Sequence, residues 1–120
     1  MAREALMSRD ADDEIVRFAD RLAALGAEPR LRIIRLLLAA HPEGLVAGEI
    51  GVELGIPPST LSHHLDKLKN EGLVSARRDG TFLCYTANTK TLQDIVGFLF
   101  AECCTRNQAI RPEAITRASP

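Results

Sequence analysis

The stretch GEIGVELGIPPSTLSHHLDKLKNEGL, residues 48–73, decides the fold of this chain. Residues 47–54 form a short helical segment that Gly55 closes, and the prolines of IPPST mark the start of another helix. This second helix is expected to run to Gly72, with Ser59 or Thr60 as its cap. Two helices joined by a tight turn that contains glycine predict a helix-turn-helix.

The helix after the turn has an apolar side and a polar side. Leu61, Leu65 and Leu68 follow one another at helical spacing and therefore face the core. In a helix-turn-helix, the second helix enters the major groove of DNA, and its N-terminal residues meet the base edges. Hydroxyl, imidazole and ammonium groups suit contacts with bases and phosphates. The residues predicted to make these contacts are Ser59, Thr60, Ser62, His63, His64 and Lys67.

Two strand-like runs, LVSARR (residues 73–78) and TFLCYT (residues 81–86), follow the second helix. The Asp79-Gly80 dipeptide between them is typical of a tight type I′ turn. Arg77 and Arg78 stand just before that turn, where two guanidinium groups are suited to bind backbone phosphates. The runs therefore predict a basic hairpin, or wing, beside the helix-turn-helix.

Three more helices are predicted around this unit. Residues 15–25 have apolar positions at helical spacing, and Gly26 ends the pattern. Residues 29–38 are so apolar that this helix is expected to be buried on most sides. A last helix starts near Asn88 and runs towards Cys103. The predicted fold class is mainly α with a small β-hairpin, a winged helix-turn-helix.

Length and composition narrow the class of protein. With 120 residues, 46% of them hydrophobic, and a net charge of -1, the chain fits one domain. That domain would span residues 1–120, with a core over about residues 12–105 and flexible tails at both ends. No apolar run is long enough to cross a bilayer and no signal peptide is recognisable, so we expect a cytoplasmic protein without a membrane partner. Without a glycine-rich phosphate loop or a partnered catalytic histidine, neither an enzyme nor a permanent cofactor is expected.

Each of these features also has a purely structural interpretation. Short helix pairs are common packing units, and a pair such as His63-His64 is more often a solvated surface feature than a DNA contact. The order of elements favours DNA binding, because a basic hairpin and an apolar helix follow the helix-turn-helix directly. A winged helix that serves only as a protein-interaction module stays open as an alternative.

The segments LGAEPRLRIIRLLL and GEIGVELGIPPSTLSHHLDKLKNEGLVSARRDGTFLCYTAN resemble the ArsR/SmtB family of winged-helix transcriptional repressors, over about residues 15–104. STLSHHLDKL followed by GLV and a charged hairpin is a specific signature of that family. The resemblance implies a homodimer, paired through its first and last helices, that binds double-stranded operator DNA with an inverted repeat near its own promoter. It also implies that an inducer releases the protein from this DNA.

The nature of the inducer depends on the three cysteines. Family members that sense arsenite in the best-known way carry a cysteine pair at the start of the third helix, where LVAGEIGVELG has none. Zinc sensors of the family use Asp and His on the last helix, which here offers Asp94 and Glu102 but no histidine. The adjacent cysteines near the end of that helix resemble a branch that binds trivalent arsenic through thiolates. Since arsenic(III) takes up to three thiolates, the predicted ligands are Cys84, Cys103 and Cys104, with arsenite, methylarsenite and antimonite all left open as inducer.

Geometry limits what the cysteines can do. Neighbouring helical residues point about 100 degrees apart, so Cys103 and Cys104 can reach one ion only if the helix ends or frays there, which the following TRNQ favours. Cys84 is equally well explained as a buried apolar residue, and the pair as packing residues in a dimer interface. A thiol redox or persulfide switch is the alternative function. It is disfavoured because a disulfide between neighbours is strained and the C-terminal end of a helix does not lower the pKa of a thiol.

Overall fold

A computed structural model describes residues 2–106, with side chains from residue 10 onward. The chain forms two compact units, one ending at Asn88 and the other beginning at Thr89. In chain order, the elements are α1 (Ala2–Leu25), α2 (Glu28–Ala39), β1 (Leu45–Val46), α3 (Ala47–Leu54), α4 (Pro58–Asn70), β2 (Val74–Asp79), β3 (Phe82–Ala87) and α5 (Thr89–Phe100). The predicted mainly α fold with a small β-hairpin is confirmed.

The first helix is longer than the sequence pattern predicts. It begins at Ala2, whereas the apolar pattern starts at Ile15 and the core was expected from about residue 12. No glycine or proline occurs before Gly26, and alanine, glutamate, leucine and arginine are strong helix formers, so the helix continues beyond its apolar pattern. The predicted flexible C-terminal tail lies outside the described residues.

The core of the first unit lies between α2, the two short helices and the sheet. Its fully buried side chains come from α2, α3, α4 and the turn before β2, and are Ile33, Leu37, Ile50, Leu65, Leu68 and Leu73. The apolar face of α4 is confirmed, because Leu61, Leu65 and Leu68 are all buried. On α2, by contrast, Leu31 and Leu38 are exposed at 43% and 41%, so the expectation that this helix is buried on most sides is wrong for the single chain.

The helix-turn-helix consists of α3 and α4. The predicted bounds of α3 are confirmed, and Gly55 ends the helix in the left-handed region with φ 66. The predicted cap of α4 is wrong: Pro57 occupies the capping position and no side chain caps the helix, so Ser59 and Thr60 lie inside the first turn. The reason is that Pro58 has its φ already set for a first helical position, while the residue before a proline is held extended.

The sheet has the order β1-β3-β2 and is antiparallel throughout. The two-residue strand β1 was not predicted, because its pairing of Leu45 with Tyr85 leaves no periodic pattern in so short a run. The predicted Asp79-Gly80 turn is wrong by one residue. Asp79 pairs with Phe82, so Gly80 and Thr81 form the loop. Gly80 has φ 64 and Thr81 does not have a positive φ, which is the sign pattern of a type II′ turn rather than type I′.

The second unit contains α5, which ends at Phe100 and is followed by turns over residues 101–106. Its large exposed apolar side chains are Val96 and Leu99. Over the described part of the chain, none of the helices is both long and apolar enough to span a bilayer.

Candidate DNA-binding surface and thiol site

The polar side of α4 is a continuous exposed surface on the second helix of the helix-turn-helix. Five of the six residues predicted there are exposed: Ser59, Thr60, Ser62, His63 and Lys67. The buried leucines on the other side of the same helix fix this orientation, because they leave only the polar side accessible. The arrangement suits insertion into a major groove, with hydroxyl groups near the N-terminus and a lysine near the C-terminus of the helix.

His64 differs from the other five residues. It is half-buried, and its Nδ1 lies 3.3 Å from Nη1 of Arg30 on α2. Burial, followed by the charges of Arg30 and His63, lowers the pKa of His64 below its ordinary value. The imidazole is therefore neutral near pH 7, and its DNA contact stays a prediction.

The wing presents its two arginines on opposite faces. Arg77 pairs with Cys84 and Arg78 with Leu83, and neighbouring residues of a strand point to opposite sides of a sheet. Nη2 of Arg77 donates a long hydrogen bond of 3.5 Å to the carbonyl oxygen of Glu43. Both arginines are exposed, but only one face of the hairpin can lie against a given stretch of DNA backbone.

Cys84 is held at the base of the wing. It is 6% exposed, and its Sγ donates a hydrogen bond of 3.2 Å to the same Glu43 carbonyl that accepts from Arg77. The neighbouring Gly44 brings the chain so close that an added Cβ would lie 3.1 Å from the Cys84 sulfur. Cys84 thus packs as a small buried residue with a partner for its thiol.

Cys103 and Cys104 lie just beyond the end of α5. The amide of Cys103 donates to the carbonyl of Phe100 over 2.8 Å, and Cys104 has a positive φ of 60, so the regular helix has ended. The two sulfur atoms are 3.3 Å apart, and both residues are half-exposed. This confirms the predicted helix ending, and it brings two sulfurs together that a continuing helix would hold apart.

The thiols of the pair influence each other. The hydrogen bond to Cys104 is the main reason why the pKa of Cys103 lies above its ordinary value. Within residues 10–106, no group of three or more His, Cys, Asp and Glu side chains is arranged to hold one metal ion. The assignment of the three cysteines as ligands stays a prediction.

Arg30 and Glu43 are the two residues of this region that the sequence analysis missed. Arg30 lies in the first turn of α2, next to the apolar part of that helix, and its sequence position gives only a weak signal for a specific partner. Glu43 takes part through its backbone carbonyl, for which side-chain patterns carry no signal.

Comparison with known proteins places these features in a family. The sequence model described as bacterial regulatory protein, arsR family, matches residues 28–76. The transcriptional repressor SdpR of Bacillus subtilis is 33% identical over 76 residues, which cover 63% of this chain and 81% of SdpR.

Two solved structures are similar over most of the chain. The crystal structure of NolR from Sinorhizobium fredii has a TM-score of 0.62 and 30% identity, covering 78% of this chain and 91% of NolR. The homodimeric winged helix-turn-helix DNA-binding domain from Mycobacterium bovis has a TM-score of 0.61 and 28% identity, covering 84% of this chain and 94% of that domain. With the observed order of helices and wing, these matches show that the chain belongs to the ArsR family of bacterial transcriptional regulators.

Proposed function

We propose that this protein is a dimeric repressor that binds operator DNA through α4 and the wing and leaves it when trivalent arsenic binds Cys103 and Cys104. Family membership and the exposed polar side of α4 support the DNA-binding part. The homodimeric relative from Mycobacterium bovis supports the dimer. The exposed apolar side chains of α1 and α5, including Ile15 and Leu99, offer surfaces for pairing.

The separation of the two sulfur atoms is the observation that carries the arsenic proposal. With bonds to sulfur of about 2.3 Å, as in thiolate sites generally, two ligands at an angle near 90 degrees lie about 3.3 Å apart. A tetrahedral ion would need about 3.8 Å and a linear two-coordinate ion about 4.6 Å with the same bond length. The lone pair of arsenic(III) compresses its bond angles towards 90 degrees, so two sulfurs 3.3 Å apart are compatible with binding one arsenic(III) ion.

The ligation needs no base from the protein. Each thiol of the pair replaces one hydroxide of arsenous acid, and the hydroxide leaves with the thiol proton as water. A raised pKa at Cys103 therefore does not oppose the overall exchange, although it lowers the fraction of reactive thiolate. An inducer must also bind the DNA-free state more tightly than the DNA-bound state, since equal affinity would shift nothing.

Whether Cys84 is a ligand determines which form of the inducer fits the site. Arsenite accepts three thiolates, whereas methylarsenite has one position taken by carbon and accepts two. To act as a ligand, Cys84 would have to give up its hydrogen bond to Glu43 and leave a buried position. These costs favour the pair alone, and with it a methylated inducer, as the working form of the proposal.

Thiol oxidation is the second candidate, because the sulfur contact of 3.3 Å also places the pair for reaction. A disulfide requires a sulfur separation of about 2.05 Å and a dihedral that adjacent residues reach only with strain. The raised pKa of Cys103 further reduces the thiolate that would react with an oxidant. Both effects place oxidation below arsenic binding.

The test measures release from the protein's own upstream DNA by fluorescence anisotropy. Cys103→Ser and Cys104→Ser should keep operator affinity and lose release by arsenite and methylarsenite, in a reducing buffer that prevents oxidation. Cys84→Ser is the matched control and should still respond to methylarsenite. If it loses the response to arsenite alone, a three-thiolate site is indicated.

Two results would overturn the proposal in different ways. Normal release of both pair variants by arsenic would show that the cysteines are packing residues. Release of the wild type by peroxide or persulfide, but not by arsenic, would establish the redox alternative.

A further inference from the structure

Arg30 joins three helices of the first unit. From the first turn of α2, its Nε donates a hydrogen bond of 2.6 Å to the carbonyl of Ala24 in the last turn of α1. Its Nη1 lies 3.3 Å from Nδ1 of His64 on α4. The last carbonyls of a helix have no partner within the helix and form the negative end of its dipole, so a guanidinium group is well placed there. One side chain thus connects the end of α1 to α4, the recognition helix of the helix-turn-helix.

The contact determines the state of His64. A guanidinium group can only donate, so Nδ1 must accept and the single ring proton must lie on Nε2. Protonation would put a hydrogen on Nδ1, remove the acceptor and bring a second positive charge against Arg30. The exposed neighbour His63 has no such contact with Arg30 and serves as an internal comparison.

Other charged groups lie at the contact between α1 and α4. Asp20 of α1 and Lys67 and Glu71 of α4 line a cavity there, which Ala24 also lines. The charges that act on His64 are Arg30 from α2 and His63 from α4 itself, and both oppose its protonation.

We propose that Arg30 and His64 are a positioning pair, in which the ring fixes the orientation of the recognition helix against the end of α1 instead of touching DNA. The proposal rests on the proposed function, in which α4 enters the major groove. It also gives α1, one of the helices expected at the dimer interface, a direct connection to the DNA-reading helix. The Arg30 side chain would thus transmit a displacement of the end of α1 to α4.

Two substitutions of His64 separate the roles of its nitrogen atoms. The amide oxygen of Asn occupies nearly the place of Nδ1, whereas the amide of Gln extends to the place of Nε2. His64→Asn should therefore keep the Arg30 contact and bind operator DNA within about twofold of wild type. His64→Gln loses a part-buried hydrogen bond to a charged group and should bind about tenfold more weakly. The reverse order, or equal losses, would overturn the proposal.

Substitution of Arg30 tests the positioning pair independently of His64. Arg30→Met should weaken operator binding about as much as His64→Gln, and the double variant should lose little more, because both changes break the same contact. The control is His63→Gln, whose effect should add to that of Arg30→Met. Full additivity between Arg30→Met and His64→Gln would contradict the pair. Circular dichroism identifies any variant that fails to fold. If an Arg30 variant does not fold, the comparison of Asn with Gln at position 64 tests the pair by itself.

The dependence of operator binding on pH provides a further test of His64. The pKa of His64 is lowered in the fold, so its contribution is present above about pH 6.5 and is lost as the pH falls through the lowered pKa. In a His63→Gln background, operator affinity should fall in acid, and His64→Asn should abolish that fall.

The proposed function can fail separately from this inference. If wild-type protein does not retard its own upstream DNA, the DNA-binding function itself is wrong. If the wild type binds and His64→Gln binds equally well, only the positioning pair is wrong.

Discussion

Gly44 lets the chain approach β3 closely, whereas Gly55 lies in open space. Gly44 and Gly55 both have positive φ, 82 and 66, but a Cβ at Gly44 would collide with the carbonyl of Tyr85, whereas Gly55 has nothing within 4 Å. Gly55→Ala should lower the free energy of unfolding by about 1 kcal/mol, the cost of a left-handed alanine. Gly44→Ala should cost about 3 kcal/mol, because overpacking adds to that strain. Urea denaturation of both variants measures the difference, and equal losses would contradict the close approach of residue 44 to β3.

At the scale of elements, α4 and the wing should contribute differently to DNA binding. Ser62 faces outward on α4, so Ser62→Ala should lower affinity for the operator while affinity for random DNA is kept. Arg78 on the wing should bind phosphate, so Arg78→Ala should weaken binding to every sequence and reduce the salt slope by about 1. Titrations of both DNAs at several salt concentrations measure these effects, with the exposed Ser75→Ala as control. Equal loss of affinity for operator and random DNA in Ser62→Ala would contradict the placement of α4 in the major groove.

For the whole molecule, the main expectation is dimerisation. Ile15 on α1 is exposed at 56% and Leu99 on α5 at 57%, which is costly for large apolar side chains in a single chain. Ile15→Glu or Leu99→Glu should make the protein monomeric at micromolar concentration, as measured by sedimentation. Both variants should also lose operator affinity, because two half-sites about 34 Å apart need two linked recognition helices. Val52→Glu is the control for sedimentation and should stay dimeric, since Val52 is exposed at 87% on α3, outside the surfaces proposed for pairing. A monomeric wild type would contradict the dimer.

Local patterns predicted much of the fold. The bounds of α3 and the buried side of α4 follow from Gly55 and the spacing of the leucines, which act within a few residues. Errors occurred where two local preferences compete. Pro58 displaced Ser59 and Thr60 from the cap of α4, and the hairpin placed its loop at Gly80-Thr81 because the strand pairing extends through Asp79. The ending of α5 before the cysteine pair followed from sequence as well, but the 3.3 Å between the sulfurs did not.

By itself, the sequence determined the helix-turn-helix, the presence of a wing and the family, because helical periodicity, glycine turns and the STLSHHLDKL signature are properties of short segments. Only the tertiary structure decided which polar residues are available for DNA. His64 was predicted to contact DNA together with the exposed residues of α4, yet it meets Arg30, which lies 34 residues away in the chain. Cys84 likewise meets the carbonyl of Glu43 at a separation of 41 residues. The physical reason is that such contacts depend on how elements pack against each other. The partners lie far apart in the sequence, so the local conformational preferences of one segment carry no information about the other.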